Sequence, residues 1–190
     1  MKLLVLDNYD SFTYNLVHMF RSMNIEHEVF RNDKITAEEA LEFDLVILSP
    51  GPGIPSEAGN MPEIIAACAG KKPILGICLG HQAIAEYLGG ELNNMSTVYH
   101  GVKSEISITS DEEIFEGIPE KIEVGRYHSW EVVRESLPES VRVTAEDDHG
   151  GIMALSESSQ KLYGIQFHPE SVMTEYGDQM MRNFIKIAQS

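Results

Sequence analysis

The stretch Gly76-Ile77-Cys78-Leu79-Gly80 sets one of only two cysteines between two glycines. An apolar run, Pro73-Ile74-Leu75, precedes it, and LGHQAIAEYLGG, which reads as a helix, follows. A nucleophile at such a strand-to-helix turn is lifted above the sheet edge on a strained backbone. Bulky side chains two positions to either side would collide there, so glycine suits both places. The thiol also meets a helix N-terminus, which favours negative charge on sulfur. The nearby backbone N–H of Leu79 can hold an oxyanion. A nucleophilic thiol needs a base, and the base needs a group to orient it. YGIQFHPES offers both in His168 and Glu170. In an extended segment these i and i+2 side chains face the same way, although Pro169 lies between them. Plainer readings exist for each. Cys78 can be a small buried hydrophobe, and His168 a hydrogen-bonded histidine at a strand end. His-x-Glu alone is a common pattern, and a separate cysteine elbow makes it more specific. Cys68, within IIAACAG, reads as helix core. SPGPGIPSEAG adds a loop whose backbone N–H groups can face a substrate, or which is an ordinary Pro/Gly turn.

The elements that would carry these groups follow from pattern. LLVLD, HEVFRN, DLVILS and PILGI read as short buried strands. Between them come a helix marked by Phe12, Leu16, Met19, Phe20 and Met23, capped by Asp10 or Ser11, a short helix with the Thr36/Glu39 capping box, and MPEIIAACAG, closed by Gly70. Strands alternating with helices imply right-handed crossovers and a parallel sheet. After residue 100 the pattern changes. VKSEISITS, KIEVGRYHSWEVV, VRVTAED, GIMALSES and KLYGIQFHP read as strands, EEIFEGIP as a helical turn, and a last helix runs from about Glu175 to Ile187. The expected fold is one α/β domain over residues 1–190: an open, mainly parallel sheet flanked by helices, with antiparallel additions. Ligands of such sheets sit at the carboxyl ends of the strands. DNYDSFT, SPGPG, GICLG and QFHPES all fall at such ends and should converge on one crevice.

Composition narrows the function. The chain has 190 residues and a formal net charge of −16, which argues against a nucleic-acid partner. No apolar run is long enough to span a membrane, and the start, MKLLVLDNYD, does not read as a signal peptide. Two cysteines ten positions apart are no disulfide framework, and a cytoplasmic location is expected. The seven histidines show no metal-ligand spacing with either cysteine.

Taken together, GICLGHQ, QFHPES and SPGPG resemble the class I, triad-type glutamine amidotransferases, whose fold is flavodoxin-like. DNYDSFTYNL, VYHG, RYHSW and HPESVMTEYG narrow the resemblance to the glutaminase subunits of anthranilate synthase and aminodeoxychorismate synthase. It runs from Leu6 to Gly177. It implies hydrolysis of glutamine to glutamate and ammonia, with Cys78 as nucleophile, His168 as acid and base, and Glu170 orienting His168. It also implies an oxyanion hole from the backbone of Gly53 and Leu79, and a glutamine site of Gly51, Pro52, Gly53, Gln82 and the Ser129–Trp130 backbone. No metal or organic cofactor is implied. The implied partner is the chorismate-binding subunit, component I of anthranilate synthase, in a hetero-oligomer of tryptophan biosynthesis. The same module serving aminodeoxychorismate synthase is the alternative, and a catalytically idle regulatory relative or a cysteine peptidase or deglycase of similar fold are further readings. Two departures stand out: Trp130 where the family usually has Leu, and His100-Gly101-Val102-Lys103-Ser104 where it commonly reads HGKTS.

Overall fold

A computed structural model describes residues 1–189. The chain alternates strand and helix at first: β1 (Leu3–Asp7), α1 (Thr13–Ser22), β2 (His27–Arg31), α2 (Ala37–Ala40), β3 (Leu45–Leu48), α3 (Met61–Cys68), β4 (Ile74–Ile77) and α4 (Leu79–Tyr87). Strands then dominate: β5 (Leu92–Asn94), β6 (Val102–Ile108), β7 (Lys121–Arg126), β8 (Trp130–Val132), β9 (Arg142–Asp147), β10 (Ile152–Glu157) and β11 (Leu162–Ile165), before α5 (Gly177–Gln189). Nine strands form one sheet in the order β2-β1-β3-β4-β11-β10-β9-β6-β7. The first five run parallel, and β10, β9, β6 and β7 extend the sheet antiparallel. The expected parallel sheet with antiparallel additions is therefore present.

Period-two alternation divides the core between the two faces. Leu3, Val5, Leu45, Ile47, Leu75 and Ile77 pack with Leu16 and Phe20 of α1 and Met181 and Phe184 of α5. Leu4, Leu6, Val46, Leu48 and Ile74 pack on the other face with Ile64 and Ile65 of α3 and Ile84 of α4. Both faces of the parallel strands are covered, which is why they read as continuous apolar runs.

Three expectations need correction. KIEVGRYHSWEVV is not one strand. It breaks at Tyr127–Ser129, and its second piece, β8, pairs with β5 in a separate two-stranded ribbon. The β5 strand had no signal beyond a short polar run. Neither Asp10 nor Ser11 occupies the cap position of α1. Phe12 does, without a side-chain cap, while Asp10 Oδ1 accepts from Phe12 N at 2.7 Å. Asp7 Oδ1 then accepts from Asp10 N and from Thr13 Oγ1, so the turn is organised from the strand end rather than from the helix start. Finally, β11 ends at Ile165, and His168 and Glu170 lie beyond it in a turn. The capping box of α2 and the closure of α3 by Gly70, at φ +75°, are as expected.

Candidate active site

Cys78 follows β4 directly and occupies the cap position of α4 with φ 52° and ψ −100°. Left-handed φ is costly for a residue with a Cβ, of the order of 1–3 kcal/mol, and survives only where its surroundings impose it. Here they do. Cys78 N donates to Ile165 O at 2.9 Å, tying the turn to β11, and Cys78 O accepts from Gln82 N within α4. A Cβ on Gly76 would lie 2.3 Å from the carbonyl of Gly80, and one on Gly80 would lie 2.6 Å from Leu48 O. The two glycines let the strand and helix fold back on each other at the elbow.

His168 and Glu170 meet through the turn and not along a strand. Ser171 N donates to His168 O, and Thr174 Oγ1 donates to the same carbonyl. His168 Nδ1 and Glu170 Oε1 are 2.7 Å apart, with both side chains almost wholly buried. The other ring nitrogen, Nε2, has no well-formed hydrogen bond. Burial works to lower the pKa of this imidazole, but the neighbouring Cys78 and Glu170 outweigh it and hold it above the usual histidine range. The ring therefore favours the protonated state beside the sulfur. Phe12 and Tyr127 stand edge-on to His168, with ring centroids 5.1 and 4.8 Å away.

Above the sulfur lies a cavity of about 250 Å³. The loop after β3 gives it Gly51, Pro52 and Gly53, α4 gives Gln82, and the break between β7 and β8 gives Tyr127, His128, Ser129 and Trp130. Val98, Tyr99 and His100 close the third side. Gly53 is left-handed at φ +74° and passes close to the Glu57 carboxylate. Six of the seven residues expected to bind glutamine thus line one cavity with Cys78. The seventh, Leu79, has its side chain buried against Gly51, which leaves its backbone beside the thiol as its contribution. His168 and Glu170 lie behind the wall rather than in it.

Sequence reasoning missed Phe12, Tyr127, His128 and Gln166 as site residues. Gln166 Nε2 approaches Cys78 Sγ at 3.7 Å and Gln166 Oε1 accepts from Gln82 Nε2. RYHSW held the signal for Tyr127 and His128: two aromatic side chains and a serine interrupting an alternating strand. Cys68, by contrast, is fully buried in α3, where burial pushes its thiol pKa up. Among the described residues no group of histidine, cysteine, aspartate and glutamate side chains is arranged to hold a metal ion, and no helix is long and apolar enough to cross a membrane.

The sequence pattern of the family described as Glutamine amidotransferase class-I matches residues 4–188. The chain belongs to this family. Its relatives include the anthranilate synthase component 2 of Pseudomonas aeruginosa, 45% identical over 191 residues covering 97% of this chain and 94% of that protein. The aminodeoxychorismate/anthranilate synthase component 2 of Bacillus subtilis is 46% identical over 186 residues, covering 97% and 95%. Among solved structures, a putative GMP synthase protein from Thermoplasma acidophilum superposes with a TM-score of 0.90 at 30% identity, covering 100% of this chain and 94% of that one. This class I glutamine amidotransferase therefore carries its elbow and its His–Glu pair on the family's fold.

Proposed function

We propose that the chain is the glutaminase subunit of an anthranilate synthase. The observation that carries the chemistry is the convergence of a strained Cys78 elbow and a buried His168–Glu170 pair beside a cavity of amino-acid size. Cys78 Sγ, as the thiolate whose proton His168 holds, attacks the side-chain amide carbon of glutamine. The resulting oxyanion is held by the backbone N–H groups of Leu79 and Gly53. His168, favoured in its protonated form, gives its proton to the departing nitrogen, which leaves as ammonia. The thioester is then hydrolysed by water, whose proton returns to His168, and glutamate departs. Glu170 holds the imidazole in the orientation both steps require.

Ammonia released to solvent would be protonated and lost as a nucleophile, so it should pass to a second active site. The lips of the crevice are suited to a partner. Val98, a large apolar side chain left exposed, lines the cavity, and Tyr9, Tyr14, Val102, Val172 and Tyr176 are further exposed large apolar side chains close in sequence to residues of the site. The partner inferred is component I, the chorismate-binding subunit, and the assembly a cytoplasmic hetero-oligomer. A second reading, service to aminodeoxychorismate synthase, is supported by the Bacillus subtilis relative whose name carries both activities. The test is to purify the chain by itself and with an anthranilate synthase component I, and to measure glutamine hydrolysis with chorismate present. Copurification and a rise in turnover are expected. Equal turnover in both samples would overturn the coupling, and copurification only with the chorismate-binding component of an aminodeoxychorismate synthase would favour the second reading.

A further inference from the structure

Behind the Tyr127–Trp130 wall lies a buried polar chain that hydrolysis itself does not use. Arg126 Nη1 pairs with Asp147 Oδ2 at 2.9 Å, and both side chains are less than a tenth exposed. Asp147 Oδ1 is fixed in turn by the backbone N–H groups of His149 and Gly151. The guanidinium lies 3.6 Å over the Tyr99 ring, and Tyr99 stacks on His128. Arg126 Nε donates to His128 Nε2 at 3.1 Å. A guanidinium can only donate, so Nε2 must be the unprotonated nitrogen of His128. The ring proton then sits on Nδ1 and is donated to Trp130 O, 2.9 Å away. Burial, reinforced by the Arg126 charge, pushes the His128 pKa down to about 4 and keeps this tautomer neutral.

Trp130 O also accepts from Gln82 Nε2 at 3.1 Å, and the same amide nitrogen donates to Gln166 Oε1 at 3.2 Å. Both hydrogens of the Gln82 amide are therefore spent on the protein. Its orientation is decided, and its carbonyl oxygen is left as the acceptor offered to the cavity. Gln166 Nε2 continues the chain to Cys78 Sγ.

We propose that His128, locked in one tautomer by the Arg126–Asp147 pair, is a positioning residue that sets the Trp130 carbonyl and through it the Gln82 amide, and so determines glutamine affinity. The proposal rests on the glutaminase reading of the site. It assigns a direction to the network: the bond that matters for substrate is the one from Nδ1, not the one to Nε2.

Three variants separate these two ends. In His128→Asn the side-chain amide reaches the place of Nδ1 and can still donate to Trp130 O. In His128→Gln it reaches the place of Nε2 and can satisfy Arg126 only. His128→Leu can do neither. In the full chain, His128→Gln and His128→Leu should raise KM for glutamine roughly tenfold with a smaller change in kcat, the loss of about one hydrogen bond's worth of positioning. His128→Asn should stay within about threefold of wild type. Unchanged KM across the set, with only the thermal midpoint falling, would overturn the proposal. So would rescue by His128→Gln and not by His128→Asn, which would show that the ring merely satisfies Arg126. If His128→Leu does not fold, the Asn and Gln pair decides alone. These assays are run on the chain assembled with component I and with chorismate present, and a wild-type assembly that hydrolyses no glutamine there would overturn the glutaminase reading and this proposal with it.

Discussion

Along β1, β3, β4 and β11 every residue is buried, with helices on both faces, whereas β6, β7 and β9 mix buried residues with half-buried and exposed ones. The first group carries the nucleophile at the end of β4 and the base just past the end of β11. The second carries the Tyr127–Trp130 wall, and its outer surface bears cross-strand ion pairs such as Lys121–Glu105 and Lys103–Glu123. A left-handed cysteine needs surroundings that leave it no alternative, and the doubly covered strands provide them. A substrate wall needs a break in regular pairing, so that side chains and carbonyls can face a ligand. The antiparallel extension provides that break where β7 gives way to β8. The reacting groups thus come from the parallel half, while the substrate cavity is shared between that half, through Gly51–Gly53 and Gln82, and the break at the end of the antiparallel extension.

The largest test of this contrast removes chemistry from the parallel half. His168→Ala should cost glutamine hydrolysis nearly as much as loss of the thiol in Cys78→Ala, because one ring serves as acid and base. Glu170→Gln should be less harmful by roughly two orders of magnitude, the gap seen between orienting and reacting members of the subtilisin triad. Steady-state hydrolysis of glutamine by the three single variants measures this. Equal loss in Glu170→Gln would give Glu170 more than an orienting role.

A smaller effect compares tolerance to one added methyl group. A Cβ on Gly80 would lie 2.6 Å from the backbone oxygen of Leu48, while one on Gly125 in β7 would lie 2.9 Å from the Ser171 hydroxyl and 3.1 Å from Met173 Cβ. Backbone cannot yield as side chains can. Gly80→Ala should cost at least about 3 kcal/mol, the upper end of overpacking losses, and Gly125→Ala nearer 1 kcal/mol. Thermal unfolding of the two variants checks the order, and a reversed order would remove the distinction drawn between the halves.

The same contrast explains what could be read from the sequence. LLVLD, LVIL and the GICLG elbow were legible because double burial and a glycine-flanked thiol leave signals within a few residues. His168 and Glu170 were paired correctly for a partly wrong reason. They meet through a turn stabilised by Thr174 and Ser171, which strand periodicity does not describe. The break at Tyr127–Ser129 was hard to place because no glycine or proline falls within it, and the Tyr-His-Ser that interrupts the alternation is also compatible with a continuing strand. The network joining Asp147 to Trp130 brings together two segments distant in sequence, and no local pattern links an aspartate at the end of β9 to an arginine 21 positions earlier.

The central claim, that Cys78 is the nucleophile of a glutaminase, is tested most directly by a glutamine-shaped chloroketone, with the alkylated residue located by peptide mass mapping. One equivalent should attach to Cys78, abolish glutamine hydrolysis, be blocked by excess glutamine and spare Cys68. Labelling of Cys68 instead, or full glutamine hydrolysis by chain alkylated at Cys78, would contradict it.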